Sequence, residues 1–472
     1  MESFLKIMDA GIAAVDTSCL GSHFKWKLWA FCLSLESEDE EFDQRNASLA
    51  LQSIHRFSKA VRLETILGYF DVEEDRSRGK DVFRKVDAAW QFQRRESNLE
   101  ELDDGTWYFA NTAIFDVDGP IPQTIKIGGV LRLRDRDKNR LITTRTSAGV
   151  VTNNVGQGSY GLDEVYEALF VQDEIHATEK FLILPGIRME HVEQELDATG
   201  MDSEESTAVD WNPSLHLLYR LRPDLSLRAA ASRGVNRPRF DNLAPGTVER
   251  GMEFVLGNPS LQPAESWNYD FGAEYASGIA ELGINLFHRD ISGVLEEVDT
   301  GRRQSGKPIL EALNVGDGWL RGIELEQRLR FGWTGVTALK GFSLWSNQSF
   351  LESEVRDSLD RDRPFREQPH FLANLGADYE ILNWGTTFTV AWNHVGRQED
   401  FTWTDRKRYI EPMGRLDASV RQKVGEHFSL FCEATNLTDA PREEIQRFFD
   451  GSSSHLKETN GRTHFLGVEW QF

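Results

Sequence analysis

Thr463-His-Phe-Leu-Gly-Val-Glu-Trp-Gln-Phe472 is the stretch on which the fold turns. Leu466, Val468, Trp470 and Phe472 fall on one face of a strand, and Phe465, Gly467, Glu469 and Gln471 on the other, because successive side chains of an extended chain alternate sides. An apolar row opposite a mostly polar one is the pattern of a strand with hydrocarbon on one side and a watery lumen on the other. It predicts an all-β fold: a large antiparallel transmembrane β-barrel.

The same two-residue period recurs upstream. Val61, Leu63, Leu67 and Tyr69 alternate with Arg62 and Glu64; Leu282, Ile284 and Leu286 form another apolar row; Leu375, Ala377 and Tyr379 alternate with Asn374, Gly376 and Asp378. Any one such segment also fits a soluble sandwich. Repeated about 18–19 times with no helical period between, the pattern favours one large closure. The gaps between strands mostly alternate in length: 222–224, 276–280, 383–386 and 423–427 are short, whereas 233–265, 298–317, 352–369, 397–413 and 440–462 are long. Short turns on one side and long loops on the other are the outer-membrane arrangement. Upstream of about residue 120 this parity falters, because Asp71–Asp81 and Arg95–Gly105 both read as longer connections.

Composition excludes several classes. The chain has 472 residues, a net charge of -23 and 40% apolar residues, with a mean hydropathy of -0.46. No apolar run approaches the ~18 residues of a membrane-spanning helix, so a membrane protein of this sequence must cross as a closed sheet, the other structure that satisfies every backbone group without water. The acidic balance leaves no basic face for nucleic acid. Cys19, Cys32 and Cys432 form neither a paired framework nor a zinc pattern. Met1–Gly21 carries Asp9 and Asp16 and no basic leader, so it does not read as a secretory signal.

Two segments carry a more specific pattern. Ala231-Ser-Arg-Gly-Val-Asn-Arg-Pro-Arg-Phe-Asp-Asn-Leu-Ala-Pro245 is followed by Gly257-Asn-Pro-Ser-Leu-Gln-Pro-Ala-Glu-Ser-Trp-Asn-Tyr-Asp-Phe-Gly272. Pro238, Pro245, Pro259 and Pro263 fix φ and withhold ladder donors, which forces an ordered, non-strand crossing between two strands. With Ile125–Lys138, Tyr166–Glu174, Leu184–Glu190, Asn314–Glu326, Asn436–Asp439 and the aromatic end, these segments resemble the barrel of TonB-dependent outer-membrane receptors over residues 125–472. The barrel signature is carried by Arg237, Pro238, Asn258, Pro259, Leu261, Pro263 and Glu265, with Ala264 where the family often has Glu.

The resemblance implies a 22-stranded barrel around a plug, energy-coupled import of a scarce nutrient (an iron chelate, cobalamin or an oligosaccharide), Trp470 and Phe472 as the assembly signal, and outer-membrane lipid and the barrel-assembly machinery as partners. It implies no catalysis and no cofactor. The expected division is an unassigned segment 1–23 and a barrel 24–472, a truncated form without signal, plug or first strands, for which coupling to TonB has no docking segment. A passive outer-membrane pore and a soluble all-β binding protein are the alternatives.

Other matches carry less. Gly156-Gln-Gly158-Ser-Tyr-Gly161 precedes a strand instead of opening a helix, unlike a dinucleotide site. His191-Val-Glu193 lacks the cysteines of a zinc deaminase. The acidic runs Glu36–Asp43 and Asp202–Glu205 read as solvated loops. For an anionic ligand or lipopolysaccharide phosphate, the basic clusters of the long loops are the candidates: Arg302 and Arg303, then Arg406 with Trp403 and Tyr409.

Overall fold

The computed structural model describes residues 34–470 apart from 87–88, 156–157, 200–201, 251–252, 305 and 358–359. The strand expected near Phe24, together with Cys19, Cys32 and Phe472, lies outside the described residues. The described residues form two compact units, one within 34–47, 71–105 and 136–161 and the other within 48–70, 106–135 and 162–470.

Four long strands open the fold: β1 (Ser34–Arg56), β2 (Val61–Val86), β3 (Ala89–Val117) and β4 (Gln123–Thr146). They are followed by β5 (Val151–Val155), β6 (Tyr160–His176), β7 (Phe181–Ala198), β8 (Glu204–Arg222) and β9 (Leu225–Asn236). Next come the single-turn helix α1 (Phe240–Leu243), β10 (Thr247–Arg250), β11 (Glu253–Leu256), β12 (Ala264–Ala276) and β13 (Ala280–Ser292). The hairpin β14 (Leu295–Gln304) and β15 (Lys307–Asn314) precedes β16 (Gly318–Arg330), β17 (Phe342–Arg356) and β18 (Asp362–Arg363). The chain continues through β19 (Phe371–Ile381), β20 (Thr386–Val395), β21 (Gln398–Asp400) and β22 (Arg406–Ile410). It finishes with β23 (Met413–Val424), β24 (Phe428–Thr435), β25 (Arg442–Phe448), β26 (Ser453–Glu458) and β27 (Thr463–Trp470).

The described strands make one 19-stranded sheet and two four-stranded sheets, β10-β11-β15-β14 and β21-β22-β25-β26. From β7 onward the large sheet is a continuous antiparallel wall through β8, β9, β12, β13, β16, β17, β19, β20, β23, β24 and β27. Register brings the apolar rows side by side. Phe271 lies opposite Leu286, which lies opposite Ile323; Tyr379 lies opposite Phe388, which lies opposite Val420. Phe271 is 53% and Leu286 42% exposed. In water such a continuous apolar face would be an aggregation surface; against acyl chains it is the lipid face of the wall. The terminal strand follows its predicted parity: Leu466, Val468 and Trp470 are exposed, opposite Cys432, Leu430 and Phe428, while Gly467 and Glu469 are half-buried.

On the opposite face, three aromatics lie over glycines directly across the ladder. Trp345 faces Gly376, Phe287 faces Gly322 and Phe431 faces Gly467. A Cβ at Gly376 would sit 2.2 Å from the Trp345 ring, and one at Gly467 would sit 2.2 Å from the Phe431 ring. These glycines therefore exist to receive a flat ring, a cross-strand pairing that also fixes register.

Within the first unit the structure corrects the upstream reading. Asp71–Asp81 and Arg95–Gly105 are not loops but the middle of β2 and β3. Charges pair across strands there: Arg95 reaches Asp39 at 3.3 Å and Asp81 at 3.0 Å, Arg76 pairs with Glu40, and Arg136 reaches Asp104 at 3.1 Å. Opposite charges on neighbouring strands support a ladder without any apolar row, so the expected alternation is missing while the strand persists.

Candidate functional site

Every long connection from β9 onward is structured, and it lies at the end of the wall that the loop-length rule places outside the cell. The β9–β12 connection supplies α1, β10 and β11, and β11 joins β15 in parallel, Phe254 opposite Ile309. The β20–β23 and β24–β27 connections pair with each other through β22 and β25. Between these two small sheets runs the β17–β19 connection, residues 357–370.

An arginine–carboxylate network binds the three parts. Arg366 donates from its backbone N–H to Glu296 at 2.9 Å, from Nε to Asp400 at 3.2 Å, and from Nη1 to the Glu297 carbonyl at 3.1 Å. Arg363 reaches Glu296 at 2.7 Å and Asp357 at 3.4 Å. Arg408 reaches Glu444 at 2.8 Å and Asp400 at 3.4 Å, and also pairs with Glu367. Asp400 is only 1% exposed and accepts further bonds from the Thr402 N–H and hydroxyl and from Trp403 Nε1. A buried charge costs several kcal/mol unless it is paired and fully hydrogen-bonded, so the four connections are tied to one arrangement.

Titration behaviour follows. Burial pushes the Asp400 carboxyl up, but the Arg366 charge and the bonds from Thr402 and Trp403 bring it below the usual range. Glu297, Asp299 and Glu444 are likewise raised by burial and lowered further by Arg250, by Thr404 with Arg303, and by Arg408 respectively. All four stay ionised under ordinary conditions.

The loop candidates separate into two groups. Arg303 bonds Asp299 at 2.9 Å and Asp405 at 2.8 Å, Arg406 bonds Asp405 at 2.7 Å, and the Arg406 guanidinium lies 4.5 Å from the Trp403 ring centroid. Arg303, Trp403 and Arg406 thus meet in one seam, with Trp403 buried. Arg302 is exposed and reaches Glu311 at 3.2 Å, and Tyr409 sits apart from the seam between Arg397 and Arg447. Glu296, Glu297, Arg363, Arg366, Asp400 and Glu444 were not singled out from sequence. The one local signal for them is the density of charge in Arg361-Asp-Arg-Pro-Phe-Arg366 inside an otherwise ordinary connection.

The barrel signature is a set of hooks. Asn258 accepts from the Ser260 N–H at 3.1 Å and donates to the Ala312 carbonyl at 3.1 Å, while Asn314 bonds both the N–H and carbonyl of Gln262. Pro259 and Pro263 bracket this turn, and Leu261 between them is buried. Arg237, just before Pro238, reaches Glu190 on β7 at 3.0 Å and Asp210 on β8 at 2.6 Å; Glu265 pairs with Arg233 at 2.6 Å. These residues clamp the β9–β12 crossing to its neighbours. Lower on the inner wall, Arg228, Glu274, Asn285, Glu324 and Glu326 line a concavity of about 430 Å³, with Arg228 paired to Glu274 at 2.5 Å.

Residues 34–437 match the family model described as TonB dependent receptor-like, beta-barrel. The chain is 21% identical over 396 residues to the Ferrienterobactin receptor of Escherichia coli (strain K12), covering 75% of this chain and 50% of that protein. It is 22% identical over 330 residues to the Ferric enterobactin receptor PirA of Pseudomonas aeruginosa, covering 65% and 41%. The chain therefore spans about half the length of the curated relatives it matches. Among solved structures, the siderophore receptor PiuA from Acinetobacter baumannii superposes with a TM-score of 0.65 at 14% identity, covering 92% of this chain and 65% of that one. The unliganded ferric citrate transporter FecA gives 0.62 at 16%, covering 91% and 70%. The lipid-facing rows, the one-sided long connections and the matched family model agree: the chain belongs to the TonB-dependent receptor β-barrel family of the Gram-negative outer membrane.

Proposed function

We propose that the chain is the barrel wall of a receptor for energy-coupled uptake of a scarce nutrient, and that the nutrient is a ferric siderophore. The observation that carries this reading is the ion-locked hairpin cluster at the outer end, where Arg366, Asp400 and Arg408 tie four connections together. A fixed outer surface is what selective capture requires, because preorganised loops do not have to be ordered at the moment of binding. Two relatives are receptors for ferric enterobactin by name, which favours an iron chelate over cobalamin or an oligosaccharide. In this reading Arg303, Arg406 and Trp403 hold the loops in shape, and Arg302 and Tyr409, which lie outside that seam, meet the ligand. Trp470, stacked on Phe428 with ring centroids 5.8 Å apart, marks the end of the wall for the assembly machinery together with Phe472.

The test is iron-limited growth and radio-iron uptake in a Gram-negative host deleted for its own catecholate receptors, with the chain expressed behind an export signal. Uptake from a ferric catecholate that stops when the proton gradient is collapsed is the expected result. Uptake that continues without the gradient would make the barrel a passive pore, and no uptake from any ferric chelate would remove the siderophore assignment.

A further inference from the structure

At mid-depth on the lipid face of the wall, β16 and β17 carry three polar side chains where the strands beside them carry none. Outward positions on β17 read Phe342, Leu344, Ser346, Gln348 and Phe350, and those on β16 read Ile323, Leu325, Gln327 and Leu329. The rows to either side are apolar, Leu282, Ile284 and Leu286 on β13 and Ala373, Leu375 and Ala377 on β19. Ser346 Oγ donates to Gln327 Oε1 at 2.5 Å, and Gln327 Nε2 donates to Gln348 Oε1 at 3.2 Å. The run of bonds stops there: among the described residues the N–H groups of the Gln348 amide meet no acceptor.

Depth decides what this patch meets. Rings mark both edges of the apolar band on this part of the wall: Phe342 lies 6.5 Å from Tyr379 at the short-turn end, and Phe350 lies 5.0 Å from Phe371 at the other. From Phe342 to Phe350 the strand runs about 27 Å at ~3.4 Å per residue, or about 20 Å of height at the usual barrel tilt of ~40°. Aromatic girdles flank the hydrocarbon, so Ser346 and Gln348 fall near its middle, out of reach of water and of lipid headgroups. Acyl chains offer an amide no hydrogen bond, and an unmet donor among them carries its full desolvation cost. What satisfies the patch is therefore another polar group, held at the same depth by a second membrane-spanning protein.

The patch is complementary to itself. It holds no charge, its amides are donors and acceptors at once, and Ser346 Oγ, Gln327 Oε1 and Gln348 Oε1 each keep a lone pair for a further bond. A two-fold axis along the membrane normal sets a surface against its own copy, which brings the Gln348 N–H groups of each copy to these acceptors of the other. Ala373, directly across the ladder from Gln348, and Ala377 on the same row keep the adjoining surface low, and small side chains let membrane-embedded backbones approach. We propose that the β16–β17 face is the contact between two copies of this chain in the membrane, joined at mid-depth by Gln327, Ser346 and Gln348.

The full chain, with Cys19, Cys32 and Cys432 changed to Ala, is reconstituted in lipid vesicles with Ser346→Cys as its single thiol and then oxidised. A disulfide-linked dimer is expected, and Val420→Cys in its place, on the lipid face of β23, should give none. Sedimentation in detergent supplies a second measurement. Wild type should show a monomer–dimer equilibrium, and Q327L/Q348L should raise its dissociation constant about tenfold, the scale of one or two hydrogen bonds in a membrane. The leucine variant only makes the lipid face more apolar, so its folding is not at risk. Ala377→Trp, with both glutamines intact, should weaken association in the same way by holding the walls apart. Wild type that stays monomeric in vesicles would overturn the proposal. So would a dimer that Q327L/Q348L leaves unchanged, equal cross-linking from both thiol positions, or a glutamine-dependent complex with a different barrel protein and none between copies. Neither measurement involves iron, so this contact and the siderophore assignment stand or fall separately.

Discussion

In the wall, the middle of one face is free of charge: Leu282, Ile284 and Leu286 alternate with Gly283, Asn285 and Phe287, and Ile284 and Leu286 lie opposite Leu325 and Ile323 on the next strand. In the outer hairpins the reverse holds. Asp400, Arg363 and Glu444 are among the most buried side chains of the chain, and what surrounds them is opposite charge. The wall gains its stability from a solvent that is itself apolar, so many small, interchangeable contacts suffice. The hairpins stand in water and bury only a small apolar cluster, Val294, Val315 and Val355 with Val298, Leu313 and Phe365 against it, so a few directional bonds that cannot be exchanged hold the rest. The wall should therefore tolerate most substitutions except those that bring charge to lipid, and the hairpins should tolerate charge on their outside but not the loss of one inside partner.

The sharpest way to break the hairpin half of this contrast is Asp400→Ala, which leaves the half-buried Arg366 and Arg408 without their shared carboxylate. A local penalty of about 3–5 kcal/mol is expected. It should be read as faster amide exchange in residues 296–300, 363–367 and 398–410 while β19 and β20 stay protected; protection lost equally in both would mean the two regions are not separate. The wall half is tested by Ile284→Arg, a charge on an exposed lipid-facing position, with an expected cost of about 2–4 kcal/mol near mid-membrane. A folded fraction in urea titration equal to wild type would place that row toward the lumen instead. Gly376→Val sharpens the contrast from the inner face, since its side chain would start 2.2 Å from Trp345; overpacking of this kind costs about 1–3 kcal/mol, visible as a lowered unfolding midpoint.

Acidification should act on the hairpins first and by degrees. Glu297, Asp299, Asp400 and Glu444 all have lowered carboxyl values, so the folded hairpins bind fewer protons than the unfolded chain does. Their contribution is complete above the unfolded value of about 4 and is lost as pH falls through the lower folded values. Limited proteolysis should therefore begin in the outer hairpins below about pH 4, with the wall intact. The smallest effect is expected for Arg302→Ala. It removes an exposed pair with Glu311 worth about 0–1 kcal/mol, so melting should be unchanged and any loss should appear only in ligand binding.

What the sequence disclosed, and what it withheld, follows the same division. The rows Leu282–Leu286 and Leu466–Trp470 are legible because period two is a local property and lipid demands it without exception. The turns at 222–224, 276–280, 383–386 and 423–427 are legible because they interrupt that period. β2 and β3 are misread at Asp71–Asp81 and Arg95–Gly105 because their ladders rest on charge pairs such as Arg95 with Asp39, 56 residues apart, and polarity alone suggests a loop. The hairpin cluster is hidden for the same reason: Asp299 and Thr404 are 105 residues apart, and a single Asp says nothing of whether it will be wet or dry. Trp403 and Arg406 could be picked out as a cluster, but not that Trp403 would be buried against Asp400.

Trp345, Phe287 and Phe431 lie flat on Gly376, Gly322 and Gly467. A bulky side chain that points inward would ordinarily narrow the passage it borders, and three of them would act as baffles. Folded down onto bare backbone they become panelling, so the bore keeps its width while the surrounding staves gain stiff cross-bracing. Clearance and rigidity are thus set by the same few ring-and-glycine pairs.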